Sequence, residues 1–243
     1  MIGSRILGFG GYQPDKVVTN DDLAKVVDTN DEWIRARTGI QSRRVAGDDE
    51  TVADMAEAAG AKALAASGLE PAEVDLVIVA TCSPESPLPN VAATVAYRLG
   101  IPAPGAYDLN AACAGFCYAL AAASDSVRAG SARNVLVIGA EKMTSWVDWT
   151  DRSTCIIFAD GAGAAVVGPS GPGEPSGIGP VVWGSAGDQA SKITIEGRNG
   201  SLKQDGQGVF RWATTAMAPI ALEACRRAGV SPADITADRK SVV

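Results

Sequence analysis

Cys113 stands in the run Asp108-Leu109-Asn110-Ala111-Ala112-Cys113-Ala114-Gly115-Phe116-Cys117, where a strand-like segment hands over to an apolar helix. A thiol at such a junction is placed to attack a carbonyl. Its reactive form is the thiolate, and a helix that begins at about Cys113 or Ala114 favours that form through its unpaired N–H groups and positive dipole end. Ala111, Ala112, Ala114 and Gly115 leave room for a substrate carbonyl and let backbone N–H groups serve as oxyanion donors. The 243 residues contain no histidine, so the imidazole that accompanies most cysteine nucleophiles is not among them. The competing reading of Cys113 is a buried structural cysteine.

The other thiols point to packing. Cys117 lies one helical turn beyond Cys113, and two thiols without histidine or a second pair make a poor metal site, so it reads as a small core residue and no metal is expected. Cys82, Cys155 and Cys225 sit in or beside apolar segments and read the same way. Two glycine clusters, Gly8-Phe9-Gly10-Gly11 and Gly161-Ala162-Gly163, resemble nucleotide loops only superficially. Gln13 and Val166 stand where the third fingerprint glycine belongs, and neither cluster has a helix behind it. Both read as turns.

Composition narrows the class. A chain 47% hydrophobic and 20% charged buries a large core. A net charge of -7 argues against a nucleic-acid surface. There is neither a charged leader before an apolar stretch nor a window of roughly 18 apolar residues, so no membrane association is expected. Five cysteines, an odd number, suit free thiols in a reducing, cytoplasmic setting.

Strand and helix patterns alternate along the chain. Strands are read over Ser4 to Tyr12, Val74 to Thr81, Ala106 to Asn110 and Asn134 to Glu141, and then as a pair, Cys155 to Phe158 and Ala164 to Val167, turning at Asp160 to Gly163. Helices are read over Asn20 to Val27, Asn30 to Thr38, Thr51 to Ser67, Asn90 to Leu99, Gly115 to Arg128 and Val209 to Ala228, several with Asn caps or a terminating glycine. Strand-like pieces near Val181 to Gly184 and Lys192 to Ile195 complete the pattern. The order predicts a layered α/β protein. Residues 168 to 178 are almost all turn formers and mark a boundary between residues 1–170, which carry Cys113, and residues 177–235, the start of a second half.

Four linked motifs carry a resemblance. Asp31-Glu32-Trp33-Ile34 with Arg37-Thr38-Gly39-Ile40, the Cys113 motif, Asp151-Arg152-Ser153-Thr154, and Phe158-Ala159-Asp160-Gly161-Ala162-Gly163-Ala164-Ala165 together resemble β-ketoacyl-acyl carrier protein synthase III. The similarity runs from Ile6 to about Ile235. It implies a thiolase-like five-layered αβαβα fold of two similar halves, the second incomplete here, and a homodimer. It also implies an acyltransferase of fatty acid synthesis that needs no cofactor beyond acyl-CoA, which is its substrate. The cysteine matching Cys113 takes the acyl group, and malonyl-acyl carrier protein then loses carbon dioxide and attacks the thioester. The residues matching Trp33 and Arg152 sandwich the coenzyme A adenine, and the one matching Arg37 contacts its phosphates. These roles suit an aromatic face and guanidinium groups. Gly206 and Phe210 match residues lining the acyl tunnel, and Leu88 the residue that shapes its end across the dimer. Arg211 matches a basic position that docks the acidic carrier protein, with an ordinary solvated arginine as the other reading.

The departure lies at the end. The family's catalytic histidine follows the position of Ile235, and its asparagine comes later; neither is in this sequence, so self-acylation at Cys113 without condensation is the expectation. Residues 236–243 include Asp238-Arg239-Lys240-Ser241-Val242-Val243, which matches one frame of a common sequencing adaptor and reads as a non-native tail. A related acyltransferase, or a starter-unit synthase of polyketide or other secondary metabolism, is the alternative, and a non-catalytic binding protein ranks third.

Overall fold

The computed structural model describes residues 3–197 and 200–236. In chain order the first elements are β1 (Ser4–Tyr12), β2 (Lys16–Thr19), α1 (Asn20–Leu23), α2 (Asp31–Thr38), β3 (Ser42–Val45), α3 (Val52–Ser67) and β4 (Leu76–Ala80). They are followed by α4 (Val91–Arg98), β5 (Gly105–Leu109), α5 (Gly115–Ala129), β6 (Val135–Lys142), α6 (Arg152–Cys155) and β7 (Asp160–Pro169). The hairpin β8 (Ile193–Ile195) and β9 (Leu202–Gln204) precedes the long α7 (Gly206–Ala228). The chain divides into two compact units: one formed by the described parts of Met1–Val17, Arg43–Ser145 and Ala159–Ile178, the other by those of Val18–Ser42, Trp146–Phe158 and Gly179–Val243.

The first unit is built on a five-stranded mixed sheet in the order β1-β7-β6-β4-β5. The inner pairs β4–β5 and β4–β6 are parallel, and β6–β7 and β1–β7 are antiparallel. Helices α3 and α4 cover one face and α5 the other. The strand period of two explains why β4 is apolar throughout: Val77 and Val79 pack with Met55, Ala59 and Leu136 on the α3 side, while Ile78 and Ala80 pack with Ala119 and Ala123 of α5. Asn30 caps α2 as the sequence suggests, but α1 is capped by Thr19, in a reciprocal box with Asp22, and not by Asn20, which is its first helical residue. Thr51 and Asp54 form a reciprocal capping box at α3, and Asn30 and Asn90 cap α2 and α4.

Three expectations are corrected. The Gly8–Gly11 cluster lies inside β1, and Gly161–Gly163 inside β7. The reason is close packing: a Cβ on Gly10 would sit 2.1 Å from the Ala59 carbonyl oxygen of α3, and one on Gly8 would sit 2.6 Å from that of Ala63. Cys155 to Phe158 is not a strand. Asp151 accepts from the Ser153 N–H at 2.9 Å and caps the short helix α6 there. Val181 to Gly184 also forms no strand.

The second unit contains α1, α2, α6, the β8–β9 hairpin and α7. Ile34 and Leu202 are buried within it, and the Leu202 N–H donates to the Trp146 carbonyl at 2.7 Å. In contrast, α7 has no buried residue; Phe210, Trp212, Met217 and Leu222 are all exposed. The residues read as a tail, apart from Thr236, lie outside the described residues.

Candidate active site

Cys113 follows β5 on a 3₁₀ turn, Ala112–Ala114, and α5 begins two residues later at Gly115. The turn is held by the Asn110 Oδ1, which accepts from the Ala112 N–H at 3.1 Å, and by an Ala114 N–H bond to the Ala111 carbonyl at 3.1 Å. Ala112 has φ 45, a left-handed conformation unusual for a residue with a side chain. Cys113 is solvent-exposed, as a nucleophile must be, so the structure does not make it a buried packing residue.

Its electrostatics differ from expectation. Although the residue as a whole is exposed, partial desolvation of its sulfur by surrounding atoms, the largest cause, pushes the Cys113 thiol above the usual range; a backbone N–H pulls it down, and the Glu141 carboxylate pushes it up again. The expected stabilisation of the thiolate is therefore outweighed. The helix proper starts two residues beyond the cysteine, at Gly115. Cys117 is corrected as well: it is exposed on α5 rather than a core residue. Cys155 is fully buried as expected, and Cys82 and Cys225 are partly buried. Among the described residues no cluster of histidine, cysteine or acidic side chains is arranged for a metal.

A second constellation lies in the other unit. Asn30 Oδ1 accepts from the Trp33 N–H at 2.7 Å and places Trp33 in the first turn of α2; Arg37, four residues on, lies on the same helix face. The Arg37 guanidinium is 4.1 Å from the centre of the Trp33 ring, and Arg152 at the start of α6 is 4.6 Å from it. Arg152 also donates to the Asp28 carbonyl at 2.9 Å. The structure thus brings Arg152 to Trp33 and Arg37, which lie more than 100 residues earlier in the sequence. An aromatic face flanked by two guanidinium groups can stack a planar base and bind phosphate.

The remaining residues are placed individually. Leu88, in the loop before α4, is 80% exposed. Gly206 opens α7, Phe210 and Arg211 follow within its first two turns, and both are exposed. Asp205 caps that helix by accepting from the Gly208 N–H at 2.9 Å, which holds its carboxyl below the usual range. Two participants were not singled out in the sequence: Glu141, at the end of β6 near Cys113, and Asp28, which holds Arg152. A lone acid at the end of an otherwise apolar strand is the signal that marks Glu141. Asp28 holds Arg152 chiefly through its backbone carbonyl, with its carboxylate 4.0 Å away as a long ion pair, and an acid more than 100 residues from its arginine gives no local signal.

Residues 107–187, which include Cys113 and Arg152, match the family described as 3-Oxoacyl-[acyl-carrier-protein (ACP)] synthase III. The chain is 57% identical over 235 residues to β-ketoacyl-[acyl-carrier-protein] synthase III 4 of Streptomyces coelicolor, covering 97% of this chain and 74% of that protein. It is 56% identical to β-ketoacyl-[acyl-carrier-protein] synthase III 2 of Streptomyces avermitilis, covering 97% and 75%. Among solved structures, the priming β-ketosynthase of the R1128 polyketide pathway matches with a TM-score of 0.92 at 43% identity, covering 96% of this chain and 72% of that one. The 3-oxoacyl-[acyl-carrier-protein] synthase III of Aquifex aeolicus matches with 0.89 at 41%, covering 96% and 74%. The fold is thiolase-like, that of a condensing acyltransferase. The chain belongs to the β-ketoacyl-[acyl-carrier-protein] synthase III family.

Proposed function

We propose that Cys113 carries the acyl group in the reaction of this family. The Cys113 sulfur attacks the carbonyl of an acyl-CoA thioester, the C–S bond to coenzyme A breaks, and coenzyme A leaves as its thiol while the acyl group stays on Cys113. Malonyl-acyl carrier protein then loses carbon dioxide, and its enolate displaces the Cys113 sulfur to give a β-ketoacyl product, the opening condensation of fatty acid synthesis. The observation that carries this reading is the exposed Cys113 on its strained turn between β5 and α5.

The other assignments follow the same reading. Trp33 and Arg152 bind the adenine of coenzyme A, and Arg37 its phosphates; no cofactor beyond acyl-CoA takes part. Gly206 and Phe210 line the acyl tunnel, and Leu88 reaches across the homodimer to shape its end. Arg211 docks the acidic carrier protein, a contact between opposite charges that steers association. Residues 1–170 form the half that carries the nucleophile, and residues 177–235 open the second. The unpaired edge of β5 suits a homodimer, since it leaves backbone donors and acceptors for a partner strand. Among the described residues no helix is long and apolar enough to cross a membrane, and we place the protein in the cytoplasm.

The test is direct. After incubation with acetyl-CoA, mass spectrometry is expected to find one acyl group on the peptide holding Cys113 and none in Cys113→Ala; an acyl group elsewhere, or none, rejects the reading. A starter-unit role in polyketide synthesis has its own support in the 43% identity to the R1128 priming enzyme. Competition between acetyl-CoA and longer acyl-CoA substrates separates the two.

A further inference from the structure

Glu141 is tied to the backbone around Cys113 through an unbroken set of contacts. Its carboxylate accepts three bonds from the turn that leaves β4: the Cys82 N–H at 2.9 Å on one oxygen, and the Ser83 and Thr81 hydroxyls on the other, the latter at 3.4 Å. Ser83 Oγ accepts in turn from the Lys142 N–H at 2.8 Å. The turn so held supports the nucleophile by two routes. Along the sheet, the Thr81 N–H donates to the Leu109 carbonyl at 3.1 Å; Leu109 is the last residue of β5, and Asn110 next to it fixes the Ala112 N–H. Across the layers, a Cβ on Gly115 would meet the Ala80 Cβ at 3.3 Å, so α5 begins on the strand end from which the turn departs. Alternation along β6 places Glu141 on the same face as Gly139, which Phe116 of α5 approaches closely.

We propose that Glu141 is the positioning residue for Cys113: its carboxylate clamps the Thr81–Ser83 turn that supports the nucleophile's backbone and places a negative charge on that turn. Two titratable groups of this unit face Cys113, Glu141 from β6 and Cys82 from the β4 turn. Cys82, whose own thiol is pushed up to about 12 chiefly by burial, stays neutral. Other charged groups nearby are engaged elsewhere. Lys142 Nζ donates to the carbonyls of Gly47, Asp48 and Glu50, Asp108 accepts from the Val91 and Ala92 N–H groups, and Asp160 binds Thr144 and the Ala46 N–H. The carboxylate therefore works against ionisation of Cys113. A sulfur kept as thiol in the resting site resists oxidation and stray alkylation, and Glu141 adds to burial, the larger cause, in raising the pH at which it becomes nucleophilic.

The proposal rests on Cys113 as the acyl acceptor, and its test is chosen to stand apart from that reading. The purified chain is alkylated with iodoacetamide across a range of pH, and the Cys113 peptide is quantified by mass spectrometry. Glu141→Gln keeps an acceptor and removes the charge: the midpoint is expected to fall, with alkylation at neutral pH about 3- to 10-fold faster. Glu141→Asp keeps the charge and is expected to leave the midpoint near that of the parent. A folded Glu141→Gln chain whose midpoint stays or rises overturns the electrostatic role. Ser83→Ala removes one strut of the clamp but no charge; it is expected to keep the midpoint and slow alkylation several-fold at every pH, and an unchanged rate overturns the clamp. It also serves if Glu141→Gln does not fold. Absence of acyl transfer from acetyl-CoA to Cys113 would reject the acyl-acceptor reading while leaving these alkylation results interpretable.

Discussion

Arg152 holds its guanidinium 4.6 Å from the centre of the Trp33 ring. A base stacked between the two needs two van der Waals separations, about 7 Å. Under the proposed assignment of this pair to adenine, Arg152 has to swing outward and stretch or give up its bond to the Asp28 carbonyl.

The consequence for binding is measurable. Trp33→Ala and Arg152→Ala each remove one side of the stack and are expected to weaken coenzyme A binding by about 1–2 kcal/mol, roughly 5- to 30-fold in Kd. Isothermal titration with coenzyme A checks this; unchanged affinity in both variants removes the adenine assignment.

Ala112 holds φ 45 directly before the nucleophile. Glycine takes this conformation without a Cβ penalty, so Ala112→Gly is expected to be neutral or stabilising by up to about 1 kcal/mol. Ala112→Val puts a β-branched side chain there and is expected to cost about 1–3 kcal/mol and to slow Cys113 acylation. Urea unfolding paired with acylation rates tests both.

Gly10 is fixed by packing alone. A Cβ at this position falls 2.1 Å from the Ala59 carbonyl oxygen and 2.4 Å from the Ala63 nitrogen, both backbone atoms of α3 that cannot turn aside. Gly10→Ala is expected to force β1 and α3 apart at a cost of about 1–3 kcal/mol. By contrast Gly11, where the nearest atom is 3.9 Å away, should accept alanine with little loss. Equal effects at the two positions would contradict the packing described.

Cys82 links stability to pH. Its thiol keeps its proton in the folded chain to about pH 12, against an ordinary value of 9.0, so between these limits the unfolded chain has released a proton that the folded chain retains. The resulting stabilisation is complete below about pH 9 and is lost as pH rises toward 12. Melting temperature is expected to fall across that window, and Cys82→Ala to flatten part of the fall. A variant with the same slope as the parent would show that Cys82 is not the linked group.

Much of the fold was legible because period and caps act locally. The apolar run of β4, the capping box at Thr51 and the glycine stops after α2, α3, α5 and α7 all follow from side chains within a few residues of each other. The misreadings arose where distant packing overrides local preference. Gly161 to Gly163 look like turn residues, yet they lie in β7 because β1 and β6 pair with them there, and the Gly8–Gly11 cluster belongs to the Ser4–Tyr12 strand, with Gly8 and Gly10 giving room to α3. Cys155 to Phe158 is apolar enough for a strand, but the Asp151 cap winds its first residue into a helix.

The sequence by itself determined the chemistry on offer: a thiol between a strand and a helix, an aromatic residue with nearby arginines, and a set of linked motifs that identifies the family. Residue type and order suffice for that, because nucleophilicity, stacking and charge are properties of single side chains. Tertiary structure decided how those groups are used. It brought Arg152 onto the ring of Trp33, and it set Glu141 and burial against the thiolate that the helix end was expected to favour. Ionisation depends on the field at one atom, and that field comes from strands β4, β5 and β6, which meet only in the folded chain.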